Sequence, residues 1–160
     1  MPKIKTLADM RMLRQALKRD GRKVVLTNGC FDILHSGHVY LFEQAKTLGD
    51  VLVVAVNDDA SVRRLKGRSR PVFPLEERVE VLSALSAVDY LVSFSEDTPL
   101  GLVENLLPDV LVKGGDWEPE DVVGKSEVET VGGRVAIIPY VTGRSTSEMI
   151  RRIRAAAGSE

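Results

Sequence analysis

Residues 24–38 read Val24-Val25-Leu26-Thr27-Asn28-Gly29-Cys30-Phe31-Asp32-Ile33-Leu34-His35-Ser36-Gly37-His38, an apolar run that leads into a turn with two glycines. An apolar run of this kind is typical of a buried strand. Apolar residues then recur at the spacing of one helix face, namely at Leu41, Phe42, Ala45 and Leu48. The stretch therefore predicts a strand, a glycine turn and the start of a helix.

Both histidines of the protein, His35 and His38, lie in this turn. A helix N-terminus presents unpaired N–H groups and the positive end of the helix dipole, which favours phosphate. Gly29 and Gly37 lack a Cβ, so a ligand can approach the backbone closely. The imidazoles could donate hydrogen bonds to phosphate oxygens whose charge grows in a transition state. We therefore expect a nucleotide or phosphate site at the carboxyl end of the first predicted strand.

Two other interpretations of the histidines stay open at this point. His35 could cap the helix, and a His-x-x-His pair could bind a metal ion. The chain has no further histidine and one cysteine to complete a metal site. The turn also matches neither Gly-x-Gly-x-x-Gly nor Gly-x-x-x-x-Gly-Lys-Ser/Thr, the two commonest phosphate loops.

Length and composition predict one globular domain over residues 1–160, with an N-terminal helix in 1–20 and a core in 22–157. The net charge is −1, from 22 basic and 23 acidic residues, so we expect neither a nucleic acid nor a membrane as partner. One cysteine cannot form an internal disulfide, and the sequence has no spanning apolar run and no signal-peptide pattern. These features favour a cytoplasmic protein.

Strand-like and helix-like segments alternate along the chain, which predicts an α/β fold with a parallel sheet and helices on both faces. The five predicted strands are 24–26, 50–56, 90–94, 110–112 and 134–138.

Glycine and polar residues follow several of these strands, where ligands bind in open parallel sheets. The fourth predicted strand leads into Lys113-Gly114-Gly115-Asp116-Trp117. Trp117 could stack on a sugar or a base, or it could fill the core. A basic loop containing Lys66, Arg68 and Arg70 follows the second strand and one short helix, and it is either near the phosphate site or a solvated loop.

Residues 28–38 resemble the first signature of the nucleotidyltransferase superfamily with a His-x-Gly-His motif, which includes the cytidylyltransferases for glycerol 3-phosphate and phosphocholine. Gly143-Arg144-Ser145-Thr146-Ser147 resembles the second signature of that superfamily, at the start of the last helix. Residues 56–66 and 111–117 carry a narrower likeness to the heptose 1-phosphate adenylyltransferases, in the free-standing form without a fused sugar kinase.

This resemblance implies a Rossmann-like, doubly wound, five-stranded parallel sheet. It also implies a reaction in which a heptose 1-phosphate oxygen attacks the α-phosphorus of ATP, pyrophosphate leaves, and an ADP-heptose forms for cell-surface polysaccharide. Mg²⁺ is expected with ATP, held chiefly by the nucleotide itself. A homodimer is expected by analogy.

The resemblance and the residue chemistry together assign candidate roles to nineteen positions. The catalytic candidates are His35, His38 and Lys66. The nucleotide-binding candidates are Asn28, Gly29, Cys30, Phe31, Gly37, Thr142, Gly143, Arg144, Ser145, Thr146 and Ser147. The substrate-binding candidates are Asp32, Arg78, Lys113, Asp116 and Trp117.

Several of these positions have a structural alternative. Arg78 could instead pair with a neighbouring carboxylate on its own helix. Ser145 and Glu148 fit a capping box that would begin the last helix.

Two alternative functions remain open from the sequence. One is a transferase of the same superfamily that uses CTP or another phosphorylated alcohol, such as glycerol 3-phosphate. The other is a non-catalytic nucleotide-binding module on the same fold. A profile of nucleotide and acceptor use separates them.

Overall fold

The computed structural model describes residues 3–139 and 146–157 of the chain. Six parallel strands form one sheet in the order β1-β4-β3-β2-β5-β6. The strands are β1 (Ile4–Lys5), β2 (Val24–Gly29), β3 (Val51–Asn57), β4 (Tyr90–Phe94), β5 (Val110–Gly114) and β6 (Arg134–Ile138). The α-helices are α1 (Leu7–Arg19), α2 (Ser36–Lys46), α3 (Asp59–Lys66), α4 (Leu75–Ser83), α5 (Leu100–Leu106), α6 (Lys125–Thr130) and α7 (Thr146–Ala157). A 3₁₀ turn covers Pro119–Asp121.

The predicted class, a parallel sheet with helices on both faces, is confirmed, but the predicted number of five strands is wrong. The additional strand is β1, in which Ile4 pairs with Leu91 and Lys5 with Val92. Two residues are too few to show the alternation that identifies a strand. Thr6 then begins α1 as its N-cap, accepting a hydrogen bond of 3.1 Å from the backbone of Asp9.

The continuous apolar run of β3 is buried because the sheet is covered on both faces. Val51, Val53 and Ala55 pack in one core layer, to which α1 and α5 also contribute. Leu52, Val54 and Val56 pack in the opposite layer, to which α2 and α4 contribute. Alternate residues of one strand therefore anchor helices on the two faces.

The topology places the turn with the two histidines beyond the end of a central strand, β2. From β2 the chain passes through α2 to β3 on one side, while β5 lies on the other side of β2. The carboxyl ends of β2 and β5 therefore flank the point where the direction of winding changes, the usual ligand position in open α/β sheets. No helix in the described ranges is long and apolar enough to cross a membrane.

Candidate active site

A cleft of about 770 Å³ opens at the carboxyl edge of the sheet. The ends of β2, β3 and β5 form its floor, and the first residues of α7 reach one wall. This volume is in the range of sites for small molecules and cofactors. Strand ends that are far apart in sequence thus converge on one cavity.

Most of the predicted site residues line this cleft. They are Asn28, Gly29, Cys30, Phe31, Asp32, His35, Gly37, His38, Lys66, Lys113, Trp117, Thr146 and Ser147. Thr142, Gly143, Arg144 and Ser145 lie outside the described residues, and so does the predicted capping box of Ser145. Asp116 is exposed and Arg78 is buried, and neither forms part of the cleft wall.

The two imidazoles stack on each other at the start of α2. Their ring centroids are 3.8 Å apart, and the planes are inclined by 24°. His35 is the N-cap of α2, and its Nδ1 accepts a hydrogen bond of 3.1 Å from the backbone of Gly37. In a neutral His35 the proton therefore sits on Nε2, which is free to donate. The helix-capping interpretation of His35 is thus correct, and it leaves the second ring nitrogen for a ligand.

Burial keeps both rings uncharged near neutral pH. Desolvation, and to a smaller extent the charge of the adjacent His35, lower the pKa of His38 to about 4. Desolvation also lowers the pKa of His35. The buried Nδ1 of His38 has no hydrogen-bond partner among the described residues. Near neutral pH the pair therefore carries neutral N–H donors and no positive charge.

The depressed pKa of His38 predicts acid sensitivity of the fold. An unfolded histidine titrates near pH 6.5, so between pH 6.5 and 4 the unfolded chain binds more protons than the folded one. The free energy of unfolding should consequently fall by up to about 3 kcal/mol as the pH is lowered from 7 to 4. Urea titrations across this range measure it. The His38→Ala variant should show a shallower pH dependence, and an unchanged slope would contradict the assignment.

Phe31 shapes the floor of the cleft beneath the histidines. Its φ of 44° is unusual for a residue with a bulky side chain. The ring meets His38 edge-on at 5.3 Å between centroids and Phe42 at 5.1 Å. A Cβ added at Gly29 would lie only 3.0 Å from this ring. Gly29 thus serves the close packing of Phe31 as well as any approach of a ligand.

Asp32 is 4% exposed, and its carboxylate is turned toward the segment before α4. It accepts hydrogen bonds from Nε of Arg70 and from the backbone N–H groups of Val72 and Phe73. Arg70, in the basic loop found in the sequence, also lines the cleft. Asp32 is a predicted substrate-binding residue, but both oxygens of its carboxylate already accept hydrogen bonds from the protein.

Lys113 reaches the cleft from the end of β5. Its ammonium group donates a hydrogen bond of 2.8 Å to Oδ1 of Asn28 and lies 5.8 Å from the ring centroid of Trp117. Desolvation lowers its pKa. Among the described residues no carboxylate forms an ion pair with it. A partly buried cation without a carboxylate partner is unfavourable by itself and suits an anionic ligand.

Arg78 lies beneath the cleft rather than in it. Its guanidinium donates to the carbonyl oxygens of Phe73, Cys30 and Asn57, and it pairs with Asp59 at 2.8 Å. The side chain is 1% exposed. Arg78 thus connects the loops that border the cleft, and the carboxylate it pairs with lies on α3 and not, as in the alternative interpretation, on its own helix.

Several polar residues that sequence reasoning did not select as site residues also line the cleft, among them Asn57, Asp97 and Thr98. Asn57 ends β3, and Asp97 and Thr98 follow β4. The rule that ligands bind beyond the carboxyl ends of strands applies to these positions too and could have found them. In the described residues no group of three or more His, Cys, Asp or Glu side chains could hold a metal ion.

The sequence of this chain is similar to those of known proteins. The sequence model of the cytidylyltransferase-like family matches residues 26–152. The bifunctional protein HldE of Geobacter metallireducens is 54% identical over 158 residues, which is 99% of this chain and 32% of that protein. HldE of Photorhabdus laumondii is 56% identical over 145 residues, covering 89% of this chain and 31% of that protein. The chain thus spans about a third of the length of these curated relatives.

Two solved structures are similar to the chain. The lipopolysaccharide core biosynthesis protein from Thermoplasma volcanium has a TM-score of 0.62 and 32% identity, over 76% of this chain and 98% of that one. The pantoate-beta-alanine ligase from Francisella tularensis has a TM-score of 0.61 over 92% of this chain and 69% of that one, and at 16% identity it supports the fold alone. Since the family model covers most of the sequence and its histidine motif lies in the cleft, the chain belongs to the cytidylyltransferase-like family of nucleotidyltransferases.

Proposed function

We propose that this chain transfers AMP from ATP to a sugar 1-phosphate, D-glycero-D-manno-heptose 1-phosphate, releasing pyrophosphate and forming an ADP-heptose. The observation that carries the proposal is the stacked, neutral pair of His35 and His38 in a cleft that is also lined by Lys66, Arg70 and Lys113. The resemblance to the heptose 1-phosphate adenylyltransferases supports the choice of sugar. The similarity to HldE and to a lipopolysaccharide core biosynthesis protein agrees with it.

In this mechanism the sugar phosphate attacks the α-phosphorus of ATP directly, and no enzyme nucleophile is required. Burial raises the pKa of Cys30, which keeps its thiol protonated and a poor nucleophile. His35 and His38 would donate N–H groups to the phosphate oxygens as negative charge builds up on them. Lys66, together with Thr146, Ser147 and the rest of the 142–147 segment, would bind the triphosphate. The protein thus acts by positioning its substrates and stabilising charge.

Mg²⁺ fits this site as a companion of the nucleotide rather than as a resident of the protein. Of the carboxylates that line the cleft, Asp32 is paired with Arg70 and Asp97 with Arg64, and Asp121 lies in the 3₁₀ turn. Two of these three carboxylates are thus engaged by arginines, whereas Mg²⁺ needs several oxygen ligands, which phosphates and water can supply. Bound to ATP, Mg²⁺ would neutralise charge on the β- and γ-phosphates.

The domain organisation of this chain is likewise a proposal. A single nucleotidyltransferase domain over 1–160 is supported by β1, which joins the segment before α1 to the same sheet as the core. A homodimer stays a prediction by analogy.

The direct test is pyrophosphate release with Mg²⁺, either ATP or CTP, and a panel of sugar 1-phosphates and alcohol phosphates. Release with ATP and a heptose 1-phosphate alone is the expected result. Release with CTP and a small alcohol phosphate would keep the reaction class and overturn the substrate. Nucleotide binding without release under any condition would instead indicate a non-catalytic module.

The Lys113→Met variant should bind its phosphate substrate more weakly and yet be more stable than the wild type. Removing a partly buried ammonium that has no carboxylate partner should raise the free energy of unfolding by about 0.5–2 kcal/mol, while KM for a phosphate substrate rises by about tenfold or more. Thermal denaturation and initial rates measure the two effects. Lys125→Met, which removes a lysine at the start of α6 whose partner Glu120 is largely exposed, is the control and should change neither by much. A destabilised Lys113→Met protein with normal KM would refute this account.

A further inference from the structure

Asp32 connects two loops that border the cleft. Its side chain is 2% exposed, and its oxygens accept from Arg70, from Val72 N at 2.7 Å and from Phe73 N at 3.1 Å. A buried carboxylate with a charged partner and two backbone donors is held firmly in one orientation. The aspartate of the motif turn thereby fixes the segment 70–73, which is about forty positions away in sequence.

The hydrogen bond that Arg70 donates to Asp32 leaves most N–H donors of its guanidinium available. A guanidinium carries five N–H donors in one rigid plane, and Asp32 uses the one on Nε. Within residues 3–139 and 146–157, Nη1 and Nη2 of Arg70 have no other hydrogen-bond partner. Because the group is planar, fixing Nε also fixes the plane in which the Nη donors point. Arg70 lines the cleft, so these donors lie at its wall.

The charge around Arg70 favours an anion. Lys66 lines the same cleft from the end of α3, and Lys113 lines it from β5. The carboxylate of Asp97 is engaged by Arg64 at 2.7 Å, and that of Asp32 is engaged by Arg70 itself. The cations therefore outnumber the free carboxylates, and a planar pair of N–H donors matches the oxygens of a phosphate.

We propose that Arg70 binds a phosphate group of the substrates and that Asp32 is a positioning residue that orients Arg70 for this contact. The proposal rests on the proposed nucleotidyl transfer for the identity of the substrates, ATP and a sugar 1-phosphate. The phosphate belongs either to the nucleotide or to the sugar, and separate binding measurements distinguish the two. Asp32 touches neither substrate in this arrangement.

The experiment compares four variants of the full chain with the wild type by calorimetry. Arg70→Ala removes the contact, Arg70→Lys keeps the charge without the planar fork, and Arg68→Ala removes an exposed cation from the same loop. Asp32→Asn can still accept from Val72 and Phe73 through Oδ1, but it turns an NH₂ group toward Nε of Arg70 and releases it. Titrations use Mg·ATP, pyrophosphate and the sugar 1-phosphate in separate arms, and thermal denaturation checks the fold of every variant.

Arg70→Ala is expected to weaken one phosphate ligand by about tenfold to a hundredfold, and Asp32→Asn by about fivefold. Arg70→Lys should recover part of the loss, and Arg68→Ala should be close to wild type. The double variant Asp32→Asn/Arg70→Ala should bind no worse than Arg70→Ala, since Asp32 acts through Arg70. A loss confined to ATP and pyrophosphate assigns the contact to the nucleotide, and a loss confined to the sugar phosphate assigns it to the acceptor.

Two results would overturn the proposal. In one, Arg68→Ala and Arg70→Ala weaken binding equally, which would mean that only the overall charge of the loop matters. In the other, the effects of Asp32→Asn and Arg70→Ala multiply in the double variant. Because these are binding measurements, a wild-type protein that binds Mg·ATP but transfers no AMP would refute the proposed function and leave this test intact.

Discussion

Replacing His38 with alanine is expected to lower kcat for pyrophosphate release by about 10²–10³ while the protein remains folded. The ring of His38 stacks on His35 at 3.8 Å, and its pKa of about 4 keeps it neutral throughout the physiological range. The variant thus loses a fixed N–H donor that would stabilise charge on the phosphate in the transition state. KM for ATP should change much less than kcat, because this interaction strengthens only as the charge develops.

His35→Asn is the informative companion variant. Asparagine is a good N-cap, so its side-chain oxygen can accept from Gly37 N as Nδ1 of His35 does. The variant keeps the start of α2 but loses the imidazole Nε2 donor. A large fall in kcat with an unchanged melting temperature would separate catalysis from capping at this position. Wild-type turnover in His38→Ala would remove His38 from the mechanism, and wild-type turnover in both variants would remove the pair.

The sheet was predictable from the sequence wherever strands were long and buried. The apolar run of β3 is buried on both faces, and Tyr90–Phe94 and Arg134–Ile138 form strands at the predicted bounds. β1 was not predictable, because a two-residue strand has no period and is defined only by its pairing with β4. Local pattern identifies an element when the element is long enough to show one.

The position of the cleft also followed from sequence, since glycine and polar residues mark the carboxyl ends of β2 and β5. What each charged side chain does there did not follow. Asp32 and Arg70 are 38 positions apart, and only the folded chain brings them together. A pattern of residue types shows that a charge is near a site, but its partners are set by tertiary packing.

The partners of Arg78 are also set by tertiary packing, and its replacement is expected to have a large effect on stability. Arg78→Ala should lower the free energy of unfolding by about 3–5 kcal/mol, because it removes a buried guanidinium that donates to three carbonyl oxygens and pairs with the partly exposed Asp59. The change leaves Asp59 without its cation and deprives the carbonyl oxygens of Cys30 and Asn57 of a donor. Urea denaturation measures the loss.

Arg64→Ala is the matched control, because it breaks another arginine–aspartate pair in which both side chains are about half exposed. An exposed pair of this kind contributes about 0–1 kcal/mol, so the control should unfold almost like the wild type. Activity of Arg78→Ala should fall because the loops of Cys30 and Asn57 lose their common anchor. Arg78→Lys, which retains the charge but not the planar fork, should recover only part of the stability. If Arg78→Ala instead kept wild-type stability and lost only substrate affinity, Arg78 would be the direct substrate contact that the sequence predicts.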